Sequence, residues 1–130
     1  MKLENNSVLI IDDDPDIRAS LLEVLQTEGF EIFTAENGKE ALERLRENKI
    51  NPNTILLDLF MPEMNGLEFL VAIRSEKSQT FKNTPVILMT AGSEDLEIVN
   101  TASTLADSYL KKPLDTDALL SQLRNFSKAH

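Results

Sequence analysis

The chain alternates short apolar runs with longer stretches in which apolar residues recur every three or four positions. The short runs are VLII (8–11), FEIFTA (30–35), TILL (54–57), VILMT (86–90) and SYLK (108–111). Several are continuously apolar and rich in β-branched residues, as parallel strands covered on both faces require. The intervening stretches have a helical period. In PDIRASLLEVLQTEG, Ile17, Leu21, Val24 and Leu25 fall on one face, and Gly29 closes the helix. NGKEALERLREN sets Leu42 with Leu45, and GLEFLVAIRSEK offers Leu67, Leu70, Val71 and Ile73. SEDLEIVNTAS begins with Ser93 as its cap, and DTDALLSQLRNF carries Leu119, Leu123 and Phe126. Gly29, Gly38, Gly66 and Gly92 all fall at boundaries, Pro15 suits a first helical turn, and Pro85 opens a strand. This alternation predicts an α/β fold of the (βα)5 kind: a five-stranded parallel sheet with right-handed crossovers and helices on both faces.

Sheets of this kind bind ligands at the C-terminal ends of their strands. The first strand ends in Asp12, Asp13 and Asp14, the third in Asp58, the fourth in Thr90, and the fifth in Lys111 and Lys112 before Pro113. An acidic triplet at the mouth of a buried strand is costly unless something compensates it. Acidic oxygens without histidine or cysteine make a hard-cation site, which Mg²⁺ fits best. Such an ion holds phosphoryl oxygens against carboxylates, so Lys112 and Thr90 become candidate partners of a phosphoryl group. Asp14, directly before Pro15, reads as a helix cap and leaves two aspartates of the triplet for the ion. Lys111 reads as a surface charge, because neighbouring strand residues face opposite sides.

IIDDD, LLDLFMPEMNG, VILMTA and YLKKP, in this order and spacing, resemble the receiver domain of two-component response regulators. The likeness covers nearly the whole chain and implies a flavodoxin-like fold that accepts a phosphoryl group from a histidine kinase or a phosphotransfer protein. Position by position, it implies that Asp58 is phosphorylated and that Asp12 and Asp13 hold Mg²⁺ together with Asp58 and the backbone carbonyl of Phe60. It implies Thr90 as the switch hydroxyl, Ala91 as the small residue after it, Lys112 as the phosphoryl-binding lysine with a cis bond to Pro113, and Tyr109 as an aromatic that turns inward on activation. The surface formed by the fourth helix, fifth strand and fifth helix would then engage a downstream protein or an attached output domain. In departure from the family pattern, Leu105 stands where glycine commonly precedes Ala-Asp, and Phe60 and Gly92 flank the site with one bulky residue and one without a side chain.

Composition narrows the alternatives. The 130 residues suit one domain spanning 1–130, and 42% apolar with 27% charged content is that of a globular chain. There is no cysteine, so disulfides and cysteine–zinc sites are excluded. The net charge is −9 and the pI about 4.5, the wrong sign for direct nucleic-acid binding through phosphate contacts. The apolar runs are too short to span a bilayer, and MKLENNS lacks the apolar core of a secretory signal, so a cytoplasmic protein is expected. The chain stops shortly after the fifth helix, which suits a stand-alone regulator or a domain of a longer protein.

Met61, Met64 and Met89 read as packing, the charged run 36–49 as a solvated helix face, and the terminal His130 as no phosphocarrier. A phosphatase of the haloacid dehalogenase type would use Asp12, Asp14, Thr90 and Lys112. It explains neither Asp58 nor the MPEMNG turn. A phosphorylation-independent module on the same fold would have lost one of the site residues, and all of them are present. The domain is expected to phosphorylate and dephosphorylate only itself, and so not to be an enzyme in the usual sense.

Overall fold

The computed structural model describes residues 6–47, 49–61, 64–76, 81–91 and 96–128, and Gly92, Ser93 and His130 lie outside them. Ten elements alternate along the chain: β1 (Ser7–Ile11), α1 (Pro15–Thr27), β2 (Glu31–Ala35), α2 (Gly38–Arg46), β3 (Thr54–Asp58), α3 (Gly66–Arg74), β4 (Val86–Thr90), α4 (Leu96–Leu105), β5 (Ser108–Lys111) and α5 (Thr116–Lys128). The strands form one parallel sheet in the order β2-β1-β3-β4-β5. The (βα)5 reading therefore holds, with strand limits within one residue of those expected.

Alternation along the strands divides the apolar interior into two clusters. Leu9, Ile11, Ile55, Leu57 and Leu88 face α2, α3 and α4, whereas Val8, Ile10, Leu56, Ile87 and Met89 face α1 and α5. β1, β3 and β4 are buried at every position, while edge strand β5 alternates half-buried and exposed residues. Each fully buried Leu or Ile stabilises the fold by about 1.5–3 kcal/mol. Leu21 and Leu25 on α1, Leu42 and Leu45 on α2, and Leu119 and Leu123 on α5 are buried as their spacing predicts, and Met61 and Met89 are core residues.

The buried face of α3 differs from the one its spacing predicts. Val71 is exposed, and Phe69 takes its place in the core. The buried stripe of α3 runs through Gly66, Phe69, Leu70 and Ile73. Val71 lies one residue, about 100°, beyond Leu70 and falls off that stripe. Gly66 sets the stripe's origin, because a Cβ there would meet the Asp58 carbonyl oxygen and the Leu59 Cα, both at 2.8 Å.

Side-chain caps anchor the first three helices. Asp14 accepts from the amide of Asp16 at the start of α1. Asn37 accepts from that of Glu40 in α2. Asn65 and Glu68 bond each other's amides at 2.9 and 3.0 Å, a reciprocal box that the pattern Asn-x-x-Glu makes legible. Asp14 thus occupies the capping role expected of it.

No helix among the described residues is long and apolar enough to cross a membrane.

Candidate functional site

The strand order places the ends of β1 and β3 side by side, with β4 and β5 following. Asp12, one residue past β1, is fully buried, and Asp58, the last residue of β3, is 6% exposed. Asp13 is exposed beside them. One oxygen from each of the three carboxylates lies within 4.8 Å of the other two. Lys112 reaches in from beyond β5, and its Nζ donates to Asp58 Oδ1 at 3.2 Å and Asp12 Oδ2 at 3.3 Å. Lys111 is exposed, as the alternation of strand faces requires.

Among the described residues, three carboxylates outnumber the Lys112 ammonium and the nearby Arg18 guanidinium, which leaves a local excess of negative charge. Burial raises the Asp58 carboxyl from the usual 3.8 to about 6, the Asp12 charge adds to this, and Lys112 holds it back. Burial also pushes the Lys112 ammonium down, but Asp58 and Asp12 outweigh it and the net shift is upward. The donor set suits a single hard cation: it offers only oxygens, and water can fill the rest of an octahedral shell with ligands at about 2.1 Å. The structure therefore fits Mg²⁺ chemically.

The other expected site residues are placed as follows. Thr90 ends β4 and is buried, and its carbonyl accepts from the Lys112 amide at 2.6 Å. Ala91 is the exposed residue after it. Phe60 lies two residues beyond Asp58 with its side chain 38% exposed. Tyr109 on β5 is turned outward and 59% exposed. The Lys112–Pro113 bond is cis. A largely apolar cavity of about 600 Å³ between α1 and α5, walled by Ile17, Leu21, Val24 and Leu114, opens beside Lys112 and Ala91.

Two arginines that the apolar pattern did not single out bear on this region and on the opposite end of the sheet. Arg18 on α1 donates from Nη1 to the Asp12 carbonyl at 2.7 Å. Arg74, the last residue of α3, donates to the carbonyls of Leu105, Lys82 and Thr84 at 2.9–3.0 Å and to Asp107 Oδ2 at 2.8 Å. The Asp107 oxygen also accepts from the Val86 amide at 2.8 Å. The turn before β5 is thus pinned through the Leu105 carbonyl, without the glycine that the family commonly has there.

The family profile described as the response regulator receiver domain matches residues 8–124. The chain belongs to that family. Among curated relatives, this receiver is 39% identical to the transcriptional regulatory protein CrdR of Helicobacter pylori over 92% of its own length and 54% of CrdR. It is 37% identical to the transcriptional regulatory protein CpxR of Escherichia coli over 92% of its own length and 48% of CpxR. The chain therefore spans about half the length of these curated relatives. Among solved structures, the response regulator TrrA of Thermotoga maritima, in complex with Mg²⁺-BeF, superposes with a TM-score of 0.78 at 37% identity, covering 97% of this chain and 99% of that one. The family match and these relatives favour the receiver reading over the phosphatase alternative.

Proposed function

We propose that this receiver accepts a phosphoryl group onto Asp58 from the phosphohistidine of a histidine kinase or phosphotransfer protein. The observation that carries the reading is the buried Asp58 carboxylate, 3.2 Å from Lys112 and within 4.8 Å of the Asp12 and Asp13 oxygens. An Asp58 oxygen attacks phosphorus, the phosphorus–nitrogen bond breaks, and the histidine nitrogen leaves with the electron pair. A pKa of about 6 leaves Asp58 mainly ionised at neutral pH and so able to attack. Asp12, Asp13, Asp58 and the Phe60 carbonyl would hold Mg²⁺, which supplies charge neutralisation for the transferred oxygens. Lys112 pairs with one phosphoryl oxygen, and the Thr90 hydroxyl donates to another.

The acyl phosphate draws Thr90 toward it, Tyr109 leaves its exposed position, and the face made by α4, β5 and α5 changes shape. That face engages a downstream protein or an attached output domain. The chain's own charge of −9 favours a protein partner over nucleic acid. Chemistry is confined to the domain's own phosphorylation and dephosphorylation, and the cytoplasm is where such a donor would be met.

Incubation with acetyl phosphate and Mg²⁺, followed by intact-mass measurement, tests the assignment. Wild type gains one phosphate and Asp58→Asn gains none, and equal uptake by the two sinks it. Tyr109 is the only tyrosine and there is no tryptophan, so intrinsic fluorescence reports on that position alone. Phosphorylation should change it in wild type and leave Asp58→Asn unchanged.

A further inference from the structure

Arg18 lies on α1 one turn beyond the Asp14 cap, and its amide donates to the Asp14 carbonyl at 3.1 Å. Its side chain turns back onto the acidic loop and is only 17% exposed. Nη1 donates to the Asp12 carbonyl at 2.7 Å, and Nη2 lies 3.8 Å from Glu36 Oε1 just beyond β2. One guanidinium thus ties the end of β1 to the end of β2.

The bonded carbonyl belongs to the peptide that joins Asp12 to Asp13. Asp12 itself is held from every other side. Its amide donates to the Ala35 carbonyl at 3.2 Å, Oδ1 accepts from the Asp14 amide at 2.9 Å, and Oδ2 accepts from Lys112. Asp13 is exposed, and its nitrogen and Cα lie in the peptide plane whose carbonyl Arg18 bonds, so that plane sets where its side chain starts. We infer that Arg18 is a positioning residue for the cation site, fixing that peptide so that the Asp13 carboxylate stays within reach of those of Asp12 and Asp58.

The inference rests on the assignment of these three carboxylates as the Mg²⁺ site. Charge and position make opposite demands here. A guanidinium beside the site repels a divalent ion, so if its charge were its only effect, removing it would tighten Mg²⁺ binding. A group that orients a ligand acts in the other direction, and losing such a partner typically weakens metal affinity tenfold or more. The sign of the change therefore separates the two.

Calorimetric titration with Mg²⁺ of wild type, Arg18→Ala and Arg18→Lys, at a temperature where circular dichroism finds each folded, provides the test. Arg18→Ala should raise the Kd about tenfold. Arg18→Lys, which keeps one donor for the carbonyl, should raise it less. An unchanged or lower Kd in Arg18→Ala, with or without a fall in thermal stability, overturns the positioning role. If Arg18→Ala does not fold, Arg18→Lys decides by the same criterion. Wild-type protein that binds no Mg²⁺ overturns the site and the positioning role together, whereas wild-type binding with an indifferent Arg18 overturns the second alone.

Discussion

At the N-terminal end of β4, Arg74 and Asp107 meet one to one, and three backbone carbonyls and the Val86 amide bond to them as well. At the C-terminal ends of β1 and β3, among the described residues, three carboxylates face the ammonium of Lys112. The two ends share the same strands and helices, but one is balanced and the other is left acidic. A balanced pair whose arginine also bonds three backbone carbonyls holds elements together. A buried cluster with surplus charge costs stability until a cation arrives, and that cost is also what makes it bind one. The proposed function uses the unbalanced end.

The contrast breaks first at Arg74. Arg74→Ala leaves three carbonyls and a carboxylate short of a donor and should lower stability by about 3 kcal/mol. Urea unfolding measures this. Because the residue lies at the far end of the sheet, phosphate uptake at Asp58 should survive wherever the variant is folded. A loss below about 1 kcal/mol would mean that the N-terminal end is not held by this group.

The acidic end should respond with the opposite sign. The folded pKa of Asp58, about 6, lies above its usual 3.8, so the folded state binds this proton more tightly than the unfolded chain does. The contribution is fully present below pH 3.8 and is lost as pH rises through 6. Asp58→Asn should therefore be more stable than wild type in EDTA at pH 8, by about 2 kcal/mol, with the difference fading toward pH 4. Urea titrations across that range check it, and a less stable Asn variant at pH 8 would show that the cluster is not repulsive.

Within the triplet, two smaller effects separate the roles of Asp14 and Asp13. Asp14→Ala removes the α1 cap and should cost about 1 kcal/mol while leaving Mg²⁺ affinity unchanged. Asp13→Asn removes an exposed charge and should raise stability in EDTA by only about 0.5 kcal/mol, yet lose most Mg²⁺ binding. Calorimetry on both variants decides, and equal weakening of Mg²⁺ would place Asp14 in the cation site after all.

The meeting of Asp12, Asp13, Asp58 and Lys112 is legible in the sequence, because it follows from topology. Strand period and right-handed crossovers carry every strand end to one edge, and the chemistry stands at those ends. The arginines were not legible in this way. Arg74 looks like an ordinary basic residue in a last helical turn, and its partners Leu105 and Asp107 lie 31 and 33 residues away. Arg18 is a polar position on an amphipathic helix, and only its side chain's course back toward β1 gives it a role. Val71 and Phe69 exchanged places for a subtler reason. Nearly all of the GLEFLVAI stretch is apolar, so periodicity alone does not locate the stripe that Gly66 sets against the sheet. The Asn65–Glu68 box, by contrast, is a local pattern written in four consecutive residues.

That contact of Gly66 has a mechanical consequence. The amide of Gly66 is bonded to the Leu59 carbonyl at 2.7 Å, and its Cα leaves no room for a methyl group against the Asp58 carbonyl. Moving α3 toward the sheet is sterically barred, and moving it away breaks the bond. The backbone that carries Asp58 is clamped on this side like work held against a fixed jaw. On the other side, β5 is an edge strand, Lys112 is 23% exposed and Tyr109 stands in solvent. The two flanks of Asp58 are therefore unequally braced: one rests on a glycine contact with no slack, and the other ends in an edge strand open to water.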